Sequence, residues 1–403
     1  MKILIADKIS EAGIARLESA GHDVLVRPTV SGGELQALLG DEHPEVLLVR
    51  STRVTAEMMG VDPSLELIVR AGAGYDNVDV EAASGRGIFV ANCPGKNADA
   101  VAELTIGLML AMDRRIPDNV LDAREGRWNK GVYSGASGIR GRTLGVIGLG
   151  SIGTQVSRIA RSLGMTVIAW SRSLTDERAE DLGVIRMDSP RAVASGADVV
   201  TLHVAASDET HHLADREFFS AMRDGALLIN TSRSRVVDEE ALQWALEEKG
   251  IRAALDVMEG EPSQKEGTFR HPLADHPNVY ITHHIGASTQ QAQDAIAAEA
   301  VRIIEAYGER GEVPNCVNLE VQSPASHLLT VRHLDKIGVL AAVLDEVRKA
   351  GWNVQEMENL IFAGARAACA RIRFDGEPSR QVVDTIMDHP DVLAVTLLPL
   401  RQA

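Results

Sequence analysis

The stretch Thr143–Gln155, "TLGVIGLGSIGTQ", decides the fold. Its first five residues are apolar or β-prone and read as a buried strand. Three glycines follow in the spacing G-x-G-x-x-G: Gly148, Gly150 and Gly153. The chain then enters an amphipathic run, "IGTQVSRIARSLG", that reads as a helix. In a strand–turn–helix setting the first glycine permits the tight turn. The second lets backbone approach a pyrophosphate, and the third lets helix and strand pack closely. The phosphates then lie at the helix N-terminus, where free N–H groups and the helix dipole favour anions. Residues 143–155 therefore predict the opening of a doubly wound dinucleotide-binding sheet.

Working outward, strands are expected at "MTVIAW" (165–170), "ADVVTLH" (197–203), "GALLINTS" (225–232), "IRAALDV" (251–257) and "NVYITHH" (278–284). Upstream, "KILIAD" (2–7), "HDVLVR" (22–27), "EVLLVRS" (45–51) and "LELIVRAG" (65–72) alternate with amphipathic stretches. Near-continuous apolar strands alternating with helices indicate parallel sheets covered on both faces. The run "NADAVAELTIGLMLAMDRR" (97–115) is apolar almost all round, which predicts a buried helix at a domain or subunit interface. The long helical run 289–311 can return to the first sheet. "EVPNCVNLEVQSPAS" (312–326) has no helical period and reads as a linker. The tail then follows a βαββαβ order, with a hairpin across Ala363-Gly364.

Composition narrows the classes. The 403 residues are 45% hydrophobic and 24% charged, as in a globular protein of two or three domains. A formal net charge of −16 argues against nucleic acid or an anionic membrane as partner. No apolar run approaches a membrane span. Cys93, Cys316 and Cys369 are widely spaced, form neither a metal pair nor a disulfide framework, and imply a reducing, cytoplasmic compartment. No metal is expected.

Four chemistry-bearing residues follow predicted strands: Arg233 in "INTSRSRVVDEEAL", Asp256 and Glu261 in "AALDVMEGEP", and His284 in "ITHHIGAST". In open α/β sheets these carboxyl ends line the ligand crevice. Together they suit reversible oxidation of a 2-hydroxy acid. The guanidinium binds a carboxylate bidentately and polarises the carbonyl oxygen. The imidazole exchanges the hydroxyl proton, and the carboxylate favours its charged form.

At these residues the chain resembles the D-isomer-specific 2-hydroxyacid dehydrogenases. "VRAGAGYDNVDVEAA" (69–83), "VAELTIGLMLAMDR" (101–114), "LGVIGLGSIGTQ", "LLINTSR", "LDVMEGEP" and "HIGAST" stand in that family's order over residues 1 to 315. The resemblance implies a flavodoxin-like substrate domain built from residues 1–95 and 285–315, with a Rossmann-type domain (96–284) inserted in it. It implies a linker at 316–326 and a ferredoxin-like, ACT-type regulatory domain at 327–403. It makes Arg233, Glu261 and His284 the catalytic trio and sets Asp256 on the nicotinamide amide. Thr231, Ser151 and Ile152 then line the cofactor, and the backbone of Ala73 and Gly74 meets the substrate carboxylate.

The ACT-like tail points, within that family, to 3-phospho-D-glycerate oxidation, the first step of serine synthesis. Arg50, with Arg53 and Arg70 beside it as further candidates, is then expected to hold the phosphate. A homo-oligomer and an amino-acid effector at the tail are implied as well.

Three positions depart from the family pattern. His283 replaces Pro before the catalytic His. Asp335 and Ile337 replace Asn and Pro in the effector motif "HLDKIGVL", so an effector's carboxyl group meets a like charge. The strand "TVIAW" ends in Ser171-Arg172-Ser173, where NAD sites usually carry an acid for the adenosine ribose. Arg172 and the flanking hydroxyls suit a 2′-phosphate, so the cofactor expected is NAD or NADP. The rival activity is an NADPH-dependent glyoxylate or hydroxypyruvate reductase. From another class, a nucleotide-sensing regulator shares the same fold.

Overall fold

Strands Lys2–Ile5, Val46–Val49 and Leu67–Arg70 are apolar at nearly every position, which only a sheet covered on both faces accommodates. The computed structural model, which describes residues 1–262, 267–320 and 323–400, shows such sheets. Five parallel strands run in the order Asp23–Val26, Lys2–Ile5, Val46–Val49, Leu67–Arg70, Phe89–Asn92. This is the flavodoxin-like order. Alternate residues serve opposite faces: Ile3 and Ile5 join one core, Leu4 and Ala6 the other. The long helix Gln290–Arg310 seals the first of these cores with Ile296, Ala300, Ile303 and Ile304. Each buried Ile among them contributes roughly 1.5–3 kcal/mol.

The second sheet has seven parallel strands, in the order Val279–Ile281, Arg252–Leu255, Leu227–Asn230, Val199–Leu202, Thr143–Ile147, Thr166–Trp170, Ile185–Arg186. From Thr143–Ile147 the chain winds first to one side and then, at Val199–Leu202, to the other. That reversal opens a crevice at the strands' carboxyl ends. The apolar helix Ala98–Arg114 packs on this sheet through Ala102, Ile106, Met109 and Met112.

The chain divides into two compact units, Met1–Asn318 and Leu319–Ala403. Residues 316–318, expected in the linker, are stitched to the first sheet instead. Cys316 bridges Ala91, the Val317 N–H donates to the Val90 carbonyl at 2.8 Å, and Asn318 Oδ1 accepts from the Val90 N–H at 2.8 Å. Residues 321 and 322 of that linker, and 401–403 of the tail, lie outside the described residues. The second unit is the expected βαββαβ module: a four-stranded antiparallel sheet with helices Val339–Lys349 and Arg380–Met387, its core built on Leu329, Val331, Ile372 and Phe374. Its effector-like turn has Gly338 at φ 92°, Ile337 fully exposed, and Lys336 paired with Asp391 at 2.5 Å. Among the described residues no helix is long and apolar enough to cross a membrane.

Candidate active site

Asp256 organises the site. It closes the strand Arg252–Leu255 and is 1% exposed. Its Oδ1 accepts from the Thr282 hydroxyl at 2.6 Å and the Ile285 N–H at 2.9 Å; its Oδ2 accepts from the Gly286 N–H at 2.8 Å. The Asp256 carbonyl accepts from the His284 N–H at 2.9 Å. His284 itself sits at φ 52°, a left-handed conformation that costs an L-residue roughly 1–2 kcal/mol. Four bonds to one residue hold it there. The resemblance sets Asp256 at the nicotinamide; in the structure it lines the cleft, and its carboxylate already secures the loop that presents His284.

His284 Nδ1 lies 2.8 Å from Glu261 Oε2, and Glu261 Oε1 accepts from the Met258 N–H at 2.6 Å. Burial pushes the Glu261 carboxyl up. The bonds from His284 and Met258, with the charges of His284 and Arg233, outweigh it and hold the group below its usual value. An ionised Glu261 makes Nδ1 the donor, which leaves Nε2 for a ligand.

Arg233 reaches across from the other side. Its Nε donates to Asp76 Oδ2 at 2.9 Å and its Nη1 to the Ser232 carbonyl at 2.8 Å. The guanidinium lies so close over Gly74 that a Cβ there would collide with it. The turn carrying Arg233 is tied by Asn230, which bonds the Arg233 carbonyl and both the N–H and hydroxyl of Ser232. Arg70 crowds Gly72 in the same way. Burial, and then the facing charge of Arg233, pull Arg70 down to about 10; Asp76 acts in the opposite sense and Arg50 in the same.

Arg50 is placed by Asp7, whose carboxylate accepts from the backbone N–H groups of Arg50, Ser51 and Thr52 at 2.7–2.9 Å. These bonds outweigh burial and lower the Asp7 carboxyl.

Arg70, Ala73, Gly74, Ile152, Thr231, Arg233, Asp256 and His284 line one cleft of about 340 Å³. Glu261 instead lines an adjoining cavity that shares His284. Ser151 and Gly150 border a separate depression at the N-terminus of helix Ser151–Ser162. Arg50 stands outside the cleft lining, just past strand Val46–Val49, while Ser171 and Arg172 lie at the end of strand Thr166–Trp170.

The glycine turn fits a phosphate-bearing ligand. Gly148, at φ 96°, has no room for a Cβ against the His203 carbonyl, and Gly153 has none against the Gly148 carbonyl. A Cβ on Gly150 would meet nothing within 4 Å, so the protein itself does not require glycine there. A backbone that must approach a pyrophosphate does. Among the described residues, four buried side-chain polar atoms lack a partner, and three belong to cleft residues: Arg70 Nε, Asn97 Oδ1 and His203 Nδ1. Unsatisfied buried polar groups are costly, so their concentration in one cleft marks a polar ligand site. Burial takes His203 down to about 3, which keeps its ring neutral.

Asn97 and His203 are absent from the residues singled out in the sequence. His203 had a signal, as the last residue of "ADVVTLH" at a strand's carboxyl end. Asn97 had only its place at the start of the buried helix. Asp76, the partner of Arg233, had none beyond following the "AGAGY" turn.

Residues 106–286 match the family model of the D-isomer specific 2-hydroxyacid dehydrogenase NAD binding domain. The chain is 41% identical over 324 residues to D-3-phosphoglycerate dehydrogenase of Methanocaldococcus jannaschii, an alignment covering 79% of this chain and 60% of that protein. It spans about three fifths of the length of the curated relatives it matches. The solved TT0316 protein of Thermus thermophilus is similar at 34% identity and TM-score 0.70, covering 79% of this chain and all of that one. The NAD+-bound 3-phosphoglycerate dehydrogenase of Entamoeba histolytica is similar at 25% identity and TM-score 0.66, covering 80% of this chain and 99% of that one.

Proposed function

The chain belongs to the D-isomer-specific 2-hydroxyacid dehydrogenase family, and from that premise we propose that it reversibly oxidises 3-phospho-D-glycerate to 3-phosphohydroxypyruvate with NAD or NADP. The observation that carries this reading is the gathering of Arg70 and Arg233 in the cleft that holds His284, with Arg50 near enough for its charge to act on Arg70 and Asp76 the carboxylate that offsets them there. Cations so close repel one another. A substrate bearing both a carboxylate and a phosphate relieves that repulsion, whereas a monoanion relieves it only in part.

The cofactor belongs against Gly148, Gly150, Gly153, Ile152 and Thr231, with Asp256, Asn97 and His203 in reach of its polar groups. When bound, its nicotinamide accepts or supplies the hydride. The protein does the rest. In oxidation His284 Nε2 takes the C2 hydroxyl proton as the C2–H bond breaks, and in reduction it returns that proton to the carbonyl oxygen. Glu261, held ionised, stabilises the imidazolium formed between these events. Arg233 clamps the substrate carboxylate, leaving Asp76, and polarises the C2 oxygen. The backbone of Ala73 and Gly74 supports the same carboxylate, and Arg70 holds the phosphate with Arg50, whose charge already acts on it.

The Arg50→Ala variant tests the phosphate role. Its kcat/KM for phosphohydroxypyruvate is expected to fall about 10- to 100-fold, the weight of one charge-assisted bond. Its loss on hydroxypyruvate is expected to stay within roughly two-fold, since that substrate makes no such bond. Equal losses on both would refute the role. The second reading, an NADPH-dependent hydroxypyruvate reductase, is favoured by Arg172 at the strand end and by the position of Arg50 outside the cleft lining.

Three further elements complete the proposal. Exposed Trp128 (90%), Leu121, Val132 and Ile116 support a homo-oligomer. The antiparallel second unit supports an effector site, with Asp335 selecting against a free carboxyl group and for an ammonium. Three free cysteines agree with a reducing cytoplasm.

A further inference from the structure

The strand Thr166–Trp170 ends in Ser171-Arg172-Ser173, without an acid of its own. The Arg172 guanidinium nevertheless has a carboxylate, because its Nη1 donates to Glu209 Oε2. That carboxylate comes from the other side of the central strand. Glu209 stands in the turn Asp208–Thr210, beyond Val199–Leu202, and Thr143–Ile147 separates that strand from Thr166–Trp170. The ion pair therefore spans the carboxyl end of the strand from which the glycine turn springs. In a doubly wound sheet this is the crevice where a dinucleotide lies.

The turn carrying Glu209 is stiff. The Ser207 N–H donates to Thr210 Oγ1 at 2.9 Å, and that hydroxyl donates to the Ala205 carbonyl at 2.7 Å. Its side chain is nonetheless wet: Arg172 and Glu209 are 78% and 68% exposed. An ion pair so exposed is weak and easily exchanged for another partner.

We propose that Glu209 supplies the acid that the strand end lacks, and sets the choice between NAD and NADP by competing with the 2′-phosphate for Arg172. The inference rests on the dinucleotide reading above. With an unphosphorylated ribose, Glu209 keeps Arg172 paired, and its second oxygen is available to a ribose hydroxyl. A 2′-phosphate offers Arg172 more charge and a bidentate partner. It must then stand beside the carboxylate it has displaced, and like charges so placed disfavour binding. The result is a site that takes both cofactors, with Glu209 weighting the balance toward NAD.

The test measures dissociation constants of NADH and NADPH on the full chain, by nicotinamide fluorescence, for the wild type and Glu209→Gln. Removing a charge at contact distance in water is worth about a five-fold change. The ratio of the NADPH to the NADH dissociation constant is therefore expected to fall about five-fold or more in Glu209→Gln. In an Arg172→Ala background the same substitution is expected to lower the ratio less than it does in the wild type, because the repulsion of the 2′-phosphate remains but no guanidinium is left to compete for. An unchanged or increased ratio in Glu209→Gln, with both dinucleotides binding, overturns the role of Glu209. An undiminished gain in the Arg172→Ala background overturns the competition. Failure of the wild type to bind either dinucleotide overturns the underlying reading instead.

Discussion

Replacing His284 by Asn is expected to lower kcat in both directions by about 10²- to 10⁴-fold, the contribution of a positioned acid–base. Asn retains a polar side chain and tolerates the left-handed backbone that position 284 adopts at φ 52°. The fold and the loop held by Asp256 therefore survive, and the loss is chemical. Two measurements separate this from a binding defect. The dissociation constant of NADH is expected to stay near the wild-type value. The substrate KM is expected to change far less than kcat, since His284 acts on the proton and not as the substrate's clamp. A variant that keeps a wild-type kcat would remove His284 from the proton path.

Replacing Arg233 by Lys is expected to lower kcat/KM by about 10²- to 10³-fold, the range seen when one donor to a developing oxyanion is lost. The charge remains, but the planar fork does not. The structure shows why the fork matters. The Nε donates to Asp76, Nη1 donates to the Ser232 carbonyl, and Nη2 points at Gly74, so three nitrogens face three different partners. An ammonium cannot serve a carboxylate and the C2 oxygen from that position. The loss should appear in both kcat and substrate KM, with cofactor affinity retained. An Arg233→Lys enzyme within about three-fold of wild type would show that charge alone is needed.

The glycine stretch was legible because each of its glycines has a distinct steric reason, and two of these, at Gly148 and Gly153, are internal to the chain. The sheets were legible because their strands are apolar on both faces, a pattern that solvent-exposed elements do not sustain. Arg233, Glu261 and His284 were legible as residues beyond strand ends, since a parallel sheet delivers all such ends to one side.

What stayed hidden depends on contacts between segments far apart in the chain. The pairing of Arg233 with Asp76 joins residues 157 positions apart. That of Arg172 with Glu209 crosses an intervening strand. The orphaned atoms of Asn97 and His203 emerge only when burial is known. Residues 316–318 read as linker because nothing in their composition announces the edge of strand Phe89–Asn92 that they join.

The central claim, that the cleft is built for a phosphorylated 2-hydroxy acid, is tested most directly by one comparison. Steady-state reduction of phosphohydroxypyruvate and of hydroxypyruvate is measured on the wild-type chain, each with NADH and with NADPH. The account predicts a kcat/KM at least about ten-fold higher for the phosphorylated substrate with either cofactor, the contribution of one phosphate–guanidinium contact. A higher kcat/KM for hydroxypyruvate would contradict it.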